Sequence, residues 1–244
     1  MITREAITEA ATRLQTSPLN VSREYVQHVF LRSLYRSGGD ADRLLFKGGT
    51  ALHIVFRSPR FSEDLDFSSF GLAHQQVESL FMGTLSDLEA SGLNIELNER
   101  SHQTTGGYFG EARFRVYEHD ISLEVNVNAK PASDVRGEYK QIHPGFAPNY
   151  GLLMLPTQTL VDEKITALAT RQKPRDFYDL YFMLRANMLP VEVRGRLKEL
   201  IPVVEATKID FETELRVFLP TDYHPIIRDF KNSLLSEIRR NSAG

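Results

Sequence analysis

Asp64 and Asp66 stand two residues apart in the segment RFSEDLDF, residues 60–67. In an extended chain, positions i and i+2 share a face. Both carboxylates, with Ser62 in line, then project to one side, while Leu65 and Phe67 project to the other. Like charges at this spacing repel unless something neutralises them. Either the face is solvated or the pair holds a divalent metal. A second alternating run, DISLEVNVN at 120–128, places Ile121, Leu123, Val125 and Val127 on an apolar face and Glu124 on the polar one, with Ser122 and Asn126. If the two runs are neighbouring strands, Asp64, Asp66 and Glu124 converge. Mg2+ takes a few carboxylates together with phosphate oxygens and water, and such ions serve phosphoryl and nucleotidyl transfer.

The residues before the acid pair strengthen that chemistry. LLFKGGT, ending at Thr50, reads as a strand, two glycines and a helix start. Gly48 and Gly49 would let backbone approach a phosphate closely. The helix end offers unpaired N–H groups and a favourable dipole. A tight strand-to-helix turn explains the same glycines without any ligand. Further along, Leu160, Val161, Ile165, Ala167 and Leu168 share one helical face, and Lys164 falls inside that face. A lysine there either snorkels to water or reaches into a cleft to hold phosphate. KPRDFYDL then starts another helix. Asp176 suits a first-turn or capping acid. Asp179, one turn on, could accept from Lys164 or Arg175, or act as a base on an attacking hydroxyl. Both acids remain candidates. Arg57 and Arg60 cluster near the first motif, and Arg171, Lys173 and Arg175 near the second. They could bind phosphates or pair with acids such as Glu63.

FKGGT followed by DLDF resembles the nucleotidyltransferase superfamily that includes DNA polymerase β, although the spacer between Gly49 and Asp64 is slightly long for the general pattern. KGGTALHIVF, the R-x-x-R-x-S-x-D-L-D-F of Arg57 to Phe67, and DEKITALATRQKPRDFYDL at 162–180 together resemble the AbiEii/AbiGii toxin family, whose relatives include the MenT toxins. The resemblance covers roughly residues 43–185. It implies an NTP-using enzyme with Mg2+ or Mn2+, acting in some members on the 3′ end of tRNA. It also implies a toxin paired with a cognate antitoxin, in a phage-defence setting. Carried over by position, Ser62 and Asp64 match the S-x-D pair, Lys164 the lysine, and Asp176 and Asp179 the final acidic motif. Glu124 matches a third acid. Lys47, Gly48, Gly49, Thr50, Arg57 and Lys164 would contact nucleotide, and Asp64, Asp66 and Glu124 metal. Two other readings stay open: a nucleotide-binding module that transfers nothing, and an enzyme that modifies a protein or a small molecule.

The elements that must position these groups follow from periodicity. Residues 4–16 read as a polar helix. A longer one, capped by Ser22, carries Tyr25, Val26, Val29, Phe30, Leu34 and Tyr35. A helix over 73–91 has Val77, Leu80, Phe81, Leu85 and Leu88 on its apolar face. Period two then takes over: Leu93, Ile95 and Leu97; Ala112, Phe114 and Val116; and the run from Ile121, with YEHD as a hairpin turn. TTGGYFG (104–110) reads as a long hairpin loop, and Pro131 to Tyr150 as a connector. From Thr159 the chain reads as helical almost to its end. The expected fold is therefore α+β: a nucleotidyltransferase-like mixed β-sheet with packed helices, then a helical C-terminal region. Residues 1–150 would form the first domain, and 151–244 a helical domain completing the active-site cleft.

The chain has 244 residues, 41% hydrophobic and 25% charged, with a net charge of −3 and no cysteine. It can bury a core without staples. Disulfides and cysteine-ligated zinc are excluded, and nucleic acid would have to bind a local patch. The seven histidines show no metal-ligand spacing, and His53 reads as a packed helix residue. Ser62 forms no nucleophile elbow; it reads as a polar contact to nucleotide or metal site. No run of roughly 20 apolar residues exists to span a bilayer. The charged first residues, MITREAITEAATRL, lack the apolar core of a signal peptide, so a cytoplasmic protein is expected.

Overall fold

A computed structural model describes residues 1–97 and 101–242, without the side chain of Leu97. The chain forms two compact units. The first holds Met1–Arg57 and Phe61–Leu155, and the second Ser58–Arg60 and Pro156–Gly244.

The first unit opens with helices α1 (Arg4–Leu14) and α2 (Pro18–Arg36). The sequence places the start of α2 at Ser22, but it begins a turn earlier. Ser17 is the cap, its hydroxyl accepting from the Asn20 N–H at 3.2 Å, and Pro18 takes the first helical position. Ser22 is fully buried inside the helix. Strand β1 (Leu44–Lys47) turns directly into α3 (Gly48–Phe56), and β2 (Leu65–Phe70) follows. After α4 (His74–Ala90) come β3 (Asn94–Leu97), β4 (His102–Thr104), β5 (Gly107–Val116) and β6 (His119–Lys130). The expected inward placement of Leu97 lies outside the described side chains. β7 (Glu138–Ile142) and β8 (Tyr150–Met154) complete one mixed sheet, in the order β3-β5-β6-β2-β1-β8-β7, with β4 pairing β5.

Two segments depart from expectation. TTGGYFG is not a long loop: Thr104 pairs Gly107 across a tight turn, and the rest runs on as β5. A Cβ on Gly107 would run into the Val127 carbonyl, so glycine is what lets β5 lie against β6 there. The 131–150 stretch is not all connector, because it contains β7. As the sheet's edge, β7 has Tyr139 exposed and only Ile142 buried, so its alternation is too weak to read. The expected boundary near residue 150 falls at the start of β8, whose pairing with β1 keeps it in the first unit.

Helices α2 and α4 cover one face of the sheet. Phe30 and Phe81 meet at 6.0 Å, and Phe46 of β1 meets Phe67 of β2 at 5.5 Å. Along β6 the buried residues are Ile121, Leu123, Val125 and Val127, with Ser122 exposed and Glu124 and Asn126 half-buried on the other side. This is the alternation expected of a sheet packed on one face.

The second unit is helical: α5 (Thr157–Thr170), α6 (Pro174–Arg185), α7 (Val191–Arg194), α8 (Leu197–Ala206), α9 (Phe211–Arg216), α10 (His224–Arg228) and α11 (Phe230–Asn241). Its core gathers Phe177, Tyr178, Phe211 and Phe230, with Phe211 and Phe230 at 4.9 Å and Tyr178 stacked on Phe230 at 5.8 Å.

Candidate active site

In the first unit, β1, α3 and β2 bring the glycine turn and the acid pair together. β1 and β2 are antiparallel, and Lys47 is the register partner of Asp66. Gly48 has φ +85°, a left-handed conformation that L side chains rarely adopt. A Cβ on it would overlap Asp66 Oδ2 and lie 2.9 Å from the Asp66 Cβ. The glycine is therefore required twice: by its backbone, and by the carboxylate beside the first turn of α3. Thr50, fully buried in that turn, donates its hydroxyl to the Asp64 carbonyl.

β2 and β6 are parallel neighbours, with Leu65 opposite Val125 and Asp66 opposite Asn126. Glu124 shares the face of Asn126, so Asp66 and Glu124 lie on one face of adjacent strands, with Asp64 just ahead of β2. Among the described residues, however, no three His, Asp or Glu side chains gather as a metal-holding group. The register sets an asparagine, not an acid, beside Asp66. Glu124 instead lies opposite Glu111 of β5, which is buried and accepts a 2.9 Å bond from the Ser122 hydroxyl.

Ser62 is buried just before β2, and its carbonyl accepts from Gln27 Nε2 at 2.8 Å. Arg57 takes a left-handed conformation at the end of α3 and donates to the His143 carbonyl at 3.2 Å. Glu63 pairs with Arg23 of α2 at 3.3 Å. The His53 and Phe61 rings meet at a tilt, 4.9 Å apart, and His53 lies 3.3 Å from Glu24. Sequence reasoning missed this last group altogether. Glu24 and His28 sit at i and i+4 on α2, Nε2 of His28 3.3 Å from Glu24 and its Nδ1 2.9 Å from the Tyr150 hydroxyl. Burial drives Glu24 upward, but hydrogen bonds and charge from His28 and His53 outweigh it and hold the carboxyl at about 2. Burial lowers His28 against the pull of Glu24, which favours the neutral ring. A neutral His28 then donates to Glu24 and accepts from Tyr150. Polar residues on the buried face of an otherwise apolar helix were the available signal.

In the second unit, Lys164 neither snorkels nor stands alone. It is 7% exposed, and its ammonium donates to Asp179 Oδ2 at 2.7 Å. Arg60 donates to Asp179 Oδ1 from Nε at 2.9 Å and lies 2.8 Å away through Nη2. Asp179 is 1% exposed. Burial pushes it up, and the two cations overcome that and hold it below the ordinary carboxylate range. Asp176 is also buried. It takes a bidentate pair from Arg171, at 2.9 and 2.6 Å, and accepts from the Lys173 N–H at 3.0 Å. Asp176 thus caps α6 as a first-turn acid should, while Asp179 is the acid that Lys164 meets.

The motifs held in these places can be set against known proteins. Residues 30–240 match the family described as nucleotidyl transferase AbiEii toxin, type IV toxin–antitoxin system. The chain belongs to that family. It is a nucleotidyltransferase, and its class is that of toxins of type IV toxin–antitoxin systems. No curated protein matches this AbiEii-family chain significantly. Its fold is similar to that of JHP933 from Helicobacter pylori, with a TM-score of 0.68 and 18% identity, covering 93% of this chain and 94% of that one. It is likewise similar to MenT4, a nucleotidyltransferase toxin from Mycobacterium tuberculosis, with a TM-score of 0.63 and 18% identity, covering 100% and 94%. Among its described residues, no helix of this AbiEii-family chain is long and apolar enough to cross a membrane.

Proposed function

We propose that this nucleotidyltransferase moves a nucleoside monophosphate from an NTP to a hydroxyl at an RNA 3′ end, such as that of tRNA. The observation that carries the reading is the packing of Asp66 against Gly48. It sets the Asp66 carboxylate beside the first turn of α3, which supports a site shared by acid and helix start. Lys47, Gly48, Gly49 and Thr50 would line the triphosphate at the helix start, where the dipole favours an anion. Asp64 and Asp66 would hold Mg2+ or Mn2+; one or two carboxylates plus substrate phosphates is the usual set for such an ion, and these residues fit it. The bound ion would supply charge neutralisation on the phosphates. Glu124, on the face of β6 beside β2, would be the third acid toward that ion. Ser62 and Arg57 are assigned polar contacts to nucleotide.

In the reaction the acceptor oxygen bonds to the α-phosphorus as the bond to the bridging oxygen breaks. Pyrophosphate leaves, and the hydroxyl proton passes to solvent. Positioning and charge neutralisation supply most of the rate. Lys164 is assigned to the triphosphate. For that it must exchange the Asp179 carboxylate for a phosphate oxygen, and Asp179 is then its resting partner. Asp176 is assigned to hold the α6 end and Arg171. A cognate antitoxin, a cytoplasmic setting and a part in phage defence complete the reading.

The test is incubation with each α-labelled NTP and total RNA, in Mg2+ and in Mn2+. Label should enter RNA with wild type and not with Asp64→Ala, which should fold normally. Label entering protein and not RNA would replace the RNA acceptor. Binding of NTP with no transfer to any acceptor would overturn the proposal in favour of a silent nucleotide-binding module.

A further inference from the structure

The carboxylate pair sits at the end of a segment that carries no regular structure. Between Phe61 and Asp64 the chain belongs to neither helix nor strand, and the β2 ladder begins only at Leu65. The ladder pairs start one residue after Asp64. The three carbonyls leading up to them are each met by a side chain. Gln27 Nε2 donates to the carbonyls of Ser62, at 2.8 Å, and Glu63, at 3.1 Å. The Thr50 hydroxyl donates to the carbonyl of Asp64. Gln27 is 1% exposed and Thr50 is fully buried. Gln27 comes from α2 and Thr50 from α3, so two different helices grip consecutive peptide units. Arg23, one turn before Gln27 on α2, adds a 3.3 Å pair to Glu63.

We infer that Gln27 and Thr50 are positioning residues for nucleotidyl transfer: together they clamp the 62–64 backbone and so set the place of the Asp64 carboxylate. The inference rests on the transferase reading above. Buried carbonyls seek partners wherever they lie, and a structural role alone would satisfy them. Three carbonyls in a row, each met by a side chain and ending at the first acid of the motif, give the clamp a catalytic consequence. Displacement of a reacting group by about 1 Å can cost about a hundredfold in rate. Gln27 is chemically suited to the task, since its one NH2 group has two hydrogens for two acceptors.

The test uses shape-keeping variants. Gln27→Met and Thr50→Val remove the donors and keep the packing, and Thr50→Ser keeps the hydroxyl. Two quantities are read: hydrogen exchange of the peptide spanning 61–67, and kcat and KM for the NTP. Expected for Gln27→Met and Thr50→Val is faster exchange in that peptide alone. With it should come, in Gln27→Met, a fall in kcat of roughly tenfold or more with KM within about threefold. Thr50→Ser, which keeps the donor, should exchange at 61–67 as wild type does. Wild-type kcat in Gln27→Met, or unchanged exchange at 61–67 in both donor-less variants, would overturn the clamp. So would equally fast exchange at 61–67 in Thr50→Ser and Thr50→Val, which would mark Thr50 as packing only. If Gln27→Met fails to fold, the two Thr50 variants decide. If wild type transfers nothing, the transferase reading fails by itself, while the exchange arm still shows whether the segment is clamped.

Discussion

Asp66 lies against Gly48 so closely that no side chain could begin at that glycine. One backbone conformation thus serves the turn into α3 and the seating of an acid. Gly48→Ala must adopt a left-handed conformation, which alone costs about 1–2 kcal/mol, and must also displace the carboxylate. The expected result is a destabilised protein with no measurable transfer, read by urea unfolding and label incorporation. Gly83→Ala is the control: a β-carbon there meets nothing within 4 Å, and alanine is the better helix former in α4.

Asp179 is the hub of the second unit's charge cluster. Removing it takes a carboxylate from both Arg60 and Lys164, which are buried. Breaking a buried pair by deleting one partner costs about 3–5 kcal/mol. Asp179→Ala should therefore fall in that range in denaturant unfolding.

Asp64→Ala is expected to behave in the opposite way. It removes one of two like charges on a half-buried face, so its unfolding free energy should stay within about 1 kcal/mol of wild type while transfer is lost. An active Asp64→Ala, or one that unfolds as readily as Asp179→Ala, would contradict the division of labour between the two acids.

The Glu24–His28 pair makes stability fall in acid. Glu24 titrates at about 2 in the fold against an ordinary 4.5. Its contribution is present above pH 4.5 and is lost as pH drops from 4.5 towards 2. The folded value of His28 lies below its ordinary 6.5, so below that pH the unfolded chain takes up a proton sooner than the fold does. Both effects lower stability with falling pH. Glu24→Gln should be less stable than wild type at pH 7, and the gap should narrow below pH 4.5. Urea unfolding across that range measures it.

Arg171 is half-exposed, but its partner Asp176 is not. Arg171→Met should therefore cost more than an ordinary surface pair, about 1–3 kcal/mol as for a hydrogen bond to a charged group. Asp176 retains the Lys173 N–H, which should keep α6 formed by circular dichroism.

Much of this was readable along the chain. Two-residue alternation put Asp66 and Glu124 opposite the apolar residues of their strands, and the structure makes those strands neighbours, with Asp64 just ahead of β2. Helical spacing put Lys164 among apolar residues, where it is indeed buried. These are local patterns, set by the geometry of a few adjacent residues. Edge strand β7 escaped because its alternation is faint, and β8 because it is only the five residues Tyr150–Met154 between a connector and a helix. Which of Asp176 and Asp179 meets Lys164 also escaped, since both suit the first turns of a helix.

By itself, then, the sequence determined the motif family, the acid pair with its glycine turn, and the face each candidate takes. Only the tertiary structure decided which groups meet. It paired Lys164 and Arg60 with Asp179, gave Glu63 to Arg23, and set Gln27 on the carbonyls of Ser62 and Glu63. It also left Glu124 outside any three-acid group among the described residues. The physical reason is range. Side-chain direction repeats with the backbone period, whereas a hydrogen-bond partner 35 residues distant, as for Gln27 and Ser62, is chosen by packing that no local period encodes.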